Sequence, residues 1–404
     1  MYNVKLILEI VTPLFLGGAE PRGMPELRAP AFRGALRYWL RAALGGTIGT
    51  NIQALQDSEA SVFGSAGETT GGASSVFLRI IRGGSISSVS YSDIAERDPS
   101  SRSYRKSGLA YLFFAARETR QESERKGLMG SFELQISTRP RAAVEGDVFR
   151  KAWGTLWLLT RFGGVGSRSR RGAGGVAVQR IEGDPRIVQD LPPLQIQAGS
   201  PQALVAELKE GLQAIRRLLT EQGDHPLPPV PAFDTIHPHA CRVWVVDKVY
   251  GDWKQGLDEF GRCYQAFRSR RAPDYQTVKD AVRTGEPLAQ PVQRAAFGLP
   301  VPFFYRSLGN ASAILQAEEQ DRRASPVWVR VVRLANGRYA IVLLWFKSQF
   351  LPAGTRLQLR SGNQGTSGSL PDDSLVDRFI TGTDPVNHSS LKDKGLTVLE
   401  VRYA

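Results

Sequence analysis

Residues 160–177 read TRFGGVGSRSRRGAGGVA, and the reading of the fold starts from this stretch. Glycines at 163, 164, 166, 172, 174 and 175 bracket Arg168, Arg170 and Arg171. Glycine lets a backbone take positive φ and come close to a partner. Arginine adds planar, permanently charged forks that match phosphate oxygens. The stretch therefore reads as a flexible basic loop suited to lie along a phosphate backbone, though on its own it fits a solvated turn as well. Upstream, Phe149, Ala152, Trp153, Leu156 and Leu159 fall at helical spacing within Asp147–Arg161; downstream, Gly175–Ile181 reads as a strand. The loop is thus predicted to join a helix to a strand at the edge of a folded domain.

Working outward, Tyr2, Val4, Leu6, Leu8 and Ile10 alternate with polar residues, the period of a half-buried strand, which Pro13 and Gly17-Gly18 are expected to end. Pro30–Leu44 reads as a helix with Pro at its start and Gly45-Gly46 as its stop. Leu36, Trp39, Leu40 and Ala43 form its apolar face, while Arg33, Arg37 and Arg41 form a basic ridge on another. Val76–Arg82 is a second strand, Gly83–Gly108 a long loop or irregular insertion, Leu109–Ala116 a further strand, and Phe132–Ser137 another. Allowing for the insertion, the order is β-α-β-β-α-β. That is the ferredoxin-like, or split βαβ, arrangement, which leaves one sheet face free and is shared with the RRM-like RNA-binding module.

The proline-rich Gly183–Pro201 marks the domain boundary, giving domains 1–190 and 191–404. Gln202–Gln222 is helical and Gly223–Pro238 is a second proline-rich connector. Strands at Cys241–Val249, Phe297–Tyr305, Pro326–Leu334, Tyr339–Phe346 and Leu396–Tyr403 follow, with helices at Trp253–Arg271 and Asp372–Ile380 and an exposed loop at Ser361–Leu370. This second half resembles a diverged repeat of the first. The fold class is therefore α+β, two ferredoxin-like domains in tandem.

Charge points to the partner. Lys+Arg 52 against Asp+Glu 39 leaves a net +13, the footprint of a polyanion binder. Seven bases (Arg150, Lys151, Arg161, Arg168, Arg170, Arg171, Arg180) lie between Val148 and Ile181 with no acid. Arg28, Arg33, Arg37 and Arg41 lie between Leu27 and Gln56, again with no acid, so the ridge reads as uncompensated. Arg262, Arg268, Arg270 and Arg271 form a third cluster. Tyr38 and Trp39 offer stacking surfaces, with at least one of them expected in the core.

Catalysis is the lesser reading. The four histidines, His225, His237, His239 and His388, lie far in sequence from the basic loop, and His237/His239 alone make a poor metal set. Asp372-Asp373 fits a helix N-terminus. No GxxxxGK[ST] or GxSxG occurs, and nothing marks Cys241 or Cys263 as a nucleophile or a disulfide pair. No metal or cofactor is expected. No apolar run reaches 18 residues, and the N-terminus reads as a strand rather than a leader, so a soluble cytoplasmic protein is expected.

Six stretches carry a resemblance: TPLFLGGAEP (12–21), ELRAPAFRGALRYWLRAAL (26–44), EASVFGS (59–65), GGVGSRSRRGAGGV (163–176), FGLPVPFFY (297–305) and RRASPVWVRV (322–331). In these the chain resembles the RAMP superfamily, and more closely the first-subunit proteins of the Cmr effector complexes of type III-B CRISPR systems. The resemblance implies a non-catalytic subunit at the head of a ribonucleoprotein, near the 3′ end of the CRISPR RNA. Such a subunit helps engage target RNA in antiviral defence, with the other Cmr subunits as neighbours. It also implies that Arg33, Arg37, Arg41 and the loop residues Gly164, Gly166, Arg168, Arg170, Arg171, Gly172 and Gly174 face RNA. The chain departs from the family pattern in two places: the resemblance assigns no role to the Gly83–Gly108 insertion, and the second half lacks an obvious glycine-rich loop, so docking to neighbouring subunits is its main expected role. Two alternatives stand beside it: a metal-independent endoribonuclease that processes CRISPR RNA, and a protein-interaction scaffold without direct RNA contact.

Overall fold

A computed structural model describes residues 2–49, 51–66, 72–81, 84–140, 145–219, 227–269, 271–318, 320, 322–362 and 364–403. The chain is mixed α/β. In the first half β1 (Asn3–Leu14), α1 (Ala29–Ile48), α2 (Ile52–Phe63), β2 (Val76–Ile81), β3 (Ile86–Ser90), α3 (Tyr91–Ala95), α4 (Ser107–Leu112), β4 (Lys126–Thr138), α5 (Glu145–Phe162) and β5 (Val176–Gly183) follow one another. The sheet is antiparallel in the order β2-β4-β1-β5, with β3 on the other end of β4. Val4, Leu6 and Leu8 face Ile136, Leu134 and Phe132 across the β1–β4 ladder. All six are buried under α1 and α5, as the period-two pattern of both strands requires.

After α6 (Pro201–Leu219), the second half runs β6 (Cys241–Val246), α7 (Trp253–Arg268), α8 (Asp274–Thr284), β7 (Val301–Tyr305), β8 (Ala311–Ala317), β9 (Val327–Arg333), β10 (Tyr339–Phe346), β11 (Leu357–Ser361), β12 (Gln364–Gly368), α9 (Ser374–Ile380) and β13 (Val398–Glu400). Its main sheet has the order β13-β6-β10-β9, and β12-β11-β8-β7 form a separate sheet. The apolar runs of β9 and β10 are buried almost throughout. Their alternate residues feed two cores: Trp328, Val332 and Leu344 join the α1–α5–α6 side, whereas Val329, Val331 and Leu343 join the α7–α9 side. A strand buried on both faces has no polar face to alternate with, hence the continuous apolar sequence. Helix α6 packs on α1 and α5 and also touches β6 and β13, so it lies against both halves.

Several expected elements differ. β1 continues through Pro13 to Leu14, with a register shift between Ile10 and Leu14. Pro13 lies in that irregular stretch, where its carbonyl accepts the Gly174 N–H at 2.9 Å. α1 passes through Gly45 and Gly46 and ends at Gly49. These glycines are packing residues: a Cβ on Gly45 would meet the Phe233 ring at 2.6 Å, and one on Gly46 the Ile236 carbonyl at 2.4 Å. Leu109–Ala116 is not a strand, because α4 and a 3-10 turn occupy it. The Asp258 carboxylate on α7 caps α4 by accepting the Gly108 N–H at 2.8 Å, and a Cβ on Gly108 would fall 1.9 Å from the Asp258 carbonyl. Residues 84–108 of the expected Gly83–Gly108 insertion form β3 and α3 and, with α4, pack on the second half; Gly83 lies outside the described residues. Ser361–Leu370, expected as an exposed loop, is largely exposed but carries the turn and second strand of the β11–β12 hairpin, and Phe297–Tyr305 supplies β7 of the separate sheet.

Candidate nucleic-acid interface

The basic ridge on α1 is real but not uncompensated. Glu59, 5 % exposed on α2, accepts from the Arg37 Nε–H and, at 2.7 Å, from Arg41 Nη1. The expectation of an acid-free ridge considered one helix only; the acid arrives from the next. Arg33 makes no such pair among the described residues, and its buried Nε lacks a hydrogen-bond partner.

The glycine–arginine loop is a pinned turn, which corrects the expectation of a flexible one. Val165 N–H donates to Gly174 O at 2.9 Å, Ser167 N–H to Phe15 O at 2.9 Å, and Gly175 N–H to Thr12 Oγ1 at 2.8 Å. Its glycines serve close packing: Gly163 lies on Trp39, Gly164 on Ala173, Gly172 on Leu257, and Gly175 on Arg330. Gly166, Gly172 and Gly174 take positive φ, and of the loop's glycines Gly166 is the exposed one.

Its arginines diverge. Arg170 turns inward: it donates to Asp234 Oδ2 at 3.0 Å and to Ser325 O at 2.6 Å, and it lies over the rings of Tyr38 and Trp328. Arg171 reaches Phe297 O at 3.3 Å and lies 4.5 Å from the centre of the Tyr264 ring. Both therefore link the loop to the second half. Arg168, in the left-handed conformation at φ 63°, makes no ion pair among the described residues. Its guanidinium is pushed down to about 10, first by burial and then by the like charges of Arg171, Arg322 and Arg125. Deeper still, Arg330 on β9 donates to the carbonyls of Thr160 and Val176. Burial and nearby Arg161 hold its guanidinium down at about 9.

Tyr38 and Trp39 do not present free stacking faces. Trp39 is fully buried, and Tyr38 donates its hydroxyl to Asp234 at 2.8 Å while packing on Trp328. The third arginine cluster is largely internal: Arg262 pairs with Asp258, Arg268 donates to the Tyr111 hydroxyl, and Arg271 pairs with buried Asp384. Arg270 lies outside the described residues, as does His225. The His237 and His239 rings lie tilted at 36° with centres 5.2 Å apart, and His388 follows α9. No group of three His, Cys, Asp or Glu suited to a metal occurs among the described residues. Burial pushes the Cys241 and Cys263 thiols up to about 12 and about 11, away from the thiolate form.

The outer face of the first sheet is a ladder of opposite charges: Lys5 with Glu133 and Glu182, Arg180 with Glu182, and Arg333 with Glu9. Most cations of this face are paired; among the described residues exposed Arg79 on β2 makes no ion pair. The surplus lies on the α1–loop side, joined where Arg170 Nη2 meets the Tyr38 hydroxyl at 3.4 Å. Sequence reasoning missed Glu59, Asp234, Arg125, Arg322 and Arg330. Glu59, Arg322 and Arg330 stand in the stretches that carry the resemblance and Asp234 and Arg125 do not, but in every case only the fold brings the residue to the loop or the ridge. No described helix is long and apolar enough to cross a membrane.

Comparison with known proteins places this geometry among relatives. The RAMP superfamily description matches residues 7–177. The chain is 32 % identical over 196 residues to a CRISPR system Cmr subunit, Cmr1-2, of Pyrococcus furiosus, covering 45 % of this chain and 97 % of that one. It is 26 % identical over 355 residues to the Cmr1-1 subunit of the same organism, covering 87 % and 90 %. In fold it is similar to the crystal structure of Pyrococcus furiosus Cmr1 in its apo form, with a TM-score of 0.63 at 20 % identity over 100 % of this chain and 99 % of that one. It is also similar to a chain of the type III-B Cmr-beta complex bound to cognate target RNA, with a TM-score of 0.51 at 13 % identity over 93 % and 97 %.

Proposed function

The chain belongs to the RAMP superfamily, and from that premise we propose that it is a non-catalytic, RNA-binding subunit of a Cmr-type, type III-B CRISPR ribonucleoprotein. It lies near the 3′ end of the CRISPR RNA and helps to hold target RNA. One observation carries the reading: of Arg33, Arg37 and Arg41 on α1 only the last two pair with a described carboxylate, and it is the same one, Glu59, so 3 − 1 = +2 on the ridge, while Arg168 on the loop makes no ion pair among the described residues. That surplus attracts a phosphate backbone, and guanidinium forks grip phosphodiester oxygens without reading bases. A neighbour in fold solved with cognate target RNA supports RNA as the ligand, and the Cmr relatives support sister Cmr subunits as protein partners. Each half also supports a tandem ferredoxin-like reading, because both sheets run fourth-first-third-second: β5-β1-β4-β2 and β13-β6-β10-β9. Two buried free thiols suit a reducing cytoplasm.

Titration of the purified chain with single-stranded RNA across a salt series tests the reading. Affinity falls with salt, with a log–log slope of about −0.7 per phosphate contacted. Arg168→Ala weakens binding about fivefold at low salt with little change in Tm, since this side chain makes no ion pair among the described residues and its nearest charges are like charges. Glu59→Gln has the opposite sign: it releases Arg37 and Arg41, tightens RNA binding about twofold, and lowers stability by about 1 kcal/mol. RNA recovered intact after incubation with and without EDTA fits a binding subunit. Salt-independent binding, no binding, or cleaved RNA overturns the proposal.

A further inference from the structure

A second concentration of charge lies beyond the α1 ridge, where three separate segments meet. Arg125 comes from the residue before β4, Arg168 and Arg171 from the glycine-rich loop, and Arg322 from the approach to β9. Backbone contacts bring them together. Ser167 bridges Phe15, whose ring lies 5.6 Å from that of Phe113, and the Arg125 N–H donates to Ala116 O at 2.7 Å in the turn after Phe113. On the other side Arg171 reaches Phe297 O, while two residues on the Leu299 N–H donates to Arg323 O at 2.8 Å, next to Arg322.

None of the four is neutralised by a described carboxylate. The acids nearest Arg125 in sequence are engaged elsewhere: Glu118 pairs with Arg97, Glu122 with Arg22, and Glu124 accepts from the Ser92 N–H and hydroxyl. Arg125 Nε and Arg171 Nη1 are buried with no hydrogen-bond partner, whereas Arg322 is exposed. Buried donors without acceptors cost free energy, and like charges in a half-dry recess repel. A fold retains such an arrangement where a ligand relieves it.

We infer that Arg125, Arg168, Arg171 and Arg322 form a cradle for one backbone phosphodiester of a single-stranded RNA. The segment between the Gly83–Gly108 insertion and β4 is then one side of the site, and the second half supplies another. The inference rests on the RNA-binding reading above and names where one phosphate of that RNA is held. A phosphodiester suits the cluster better than a carboxylate, because its two free oxygens can accept from forks supplied by separate segments.

The test is Arg125→Ala/Arg322→Ala in the full chain, titrated with single-stranded oligouridylate across a salt series. The expected result is a binding loss of about tenfold at low salt, with a salt slope shallower by about 0.7. Tm without RNA stays equal or rises, because repulsion is removed. Arg125→Lys/Arg322→Lys recovers part of the affinity by restoring charge without the fork. If the double variant fails to fold, Arg322→Ala alone is read, since that exposed side chain leaves no cavity. Unchanged affinity and slope in a variant whose parent binds RNA overturns the cradle and leaves the RNA-binding reading standing. A parallel loss of Tm and affinity, unrelieved by lysine, overturns it in favour of a structural role. Inorganic phosphate displacing the RNA as well as a second oligonucleotide does reassigns the recess to free phosphate and overturns it too. No RNA binding by the parent overturns both readings together.

Discussion

Asp234→Ala is expected to destabilise the chain by about 3–5 kcal/mol, the cost of leaving a buried charge without its partner. Asp234 lies in the connector before β6, yet it is the point where four segments meet. It accepts the Tyr38 hydroxyl from α1 at 2.8 Å, Arg170 Nη1 from the loop at 3.0 Å, and the Ser348 hydroxyl at 2.8 Å, with Arg323 Nη2 at 3.9 Å. Its side chain is 10 % exposed, and those of Arg170 and Arg323 are 20 % and 16 % exposed. Removing the carboxylate leaves two poorly solvated guanidiniums and two hydroxyls facing a void. Asp234→Asn keeps an acceptor for the hydroxyls while losing the charge, so about half the loss is expected. Chemical denaturation of the three proteins measures both values. A loss below about 1 kcal/mol for the alanine variant would mean that Arg170 finds its support in Ser325 O and the two aromatic rings alone.

The same carboxylate shows where sequence reasoning stops. The β1, β4 and β5 strands and the α1 and α5 helices were legible, because each carries one buried face and therefore one clear period. The glycine–arginine loop was legible as the connection between α5 and β5. Its physical state was not. Flexibility was read from glycine content, whereas Gly163, Gly164, Gly172 and Gly175 exist to admit Trp39, Ala173, Leu257 and Arg330, neighbours that only the tertiary fold supplies.

The division of labour among the arginines was hidden for the same reason. Arg168, Arg170 and Arg171 look alike in sequence, yet Arg170 faces Asp234 some 60 residues downstream, a separation the structure gives as 64. Arg37 and Arg41 looked uncompensated because Glu59 lies outside their helix, on α2, a helix that the sequence analysis did not assign. Local period reveals which face of an element is buried; it does not reveal which charged groups meet across elements. The candidate site follows that rule: its location came from the sequence, and its free cations had to be found by subtracting the pairs the fold makes.

The role of the loop glycines leads to the second large effect: Gly174→Ala is expected to destabilise the chain by about 3–5 kcal/mol, at the upper end of single-substitution effects. Gly174 sits at φ 72°, where an L side chain is strained by about 1–2 kcal/mol. A Cβ there would also lie 2.0 Å from Val165 O and 2.8 Å from Val165 N. Those atoms are backbone and cannot rotate away. Moving them breaks the Val165 N–H to Gly174 O bond at 2.9 Å and the Gly174 N–H to Pro13 O bond at 2.9 Å, which together hold the loop on β1. Gly199→Ala is the control, because a Cβ on Gly199 meets nothing within 4 Å. Thermal unfolding of the two variants separates two explanations for a glycine-rich loop. If the glycines keep the loop small enough for RNA to approach, Gly174→Ala leaves Tm intact and weakens RNA binding. If they let the chain close on itself, Tm falls steeply without any RNA present. The 2.0 Å approach to a fixed carbonyl requires the second outcome, and an unchanged Tm would show that the turn yields where the packing says it cannot.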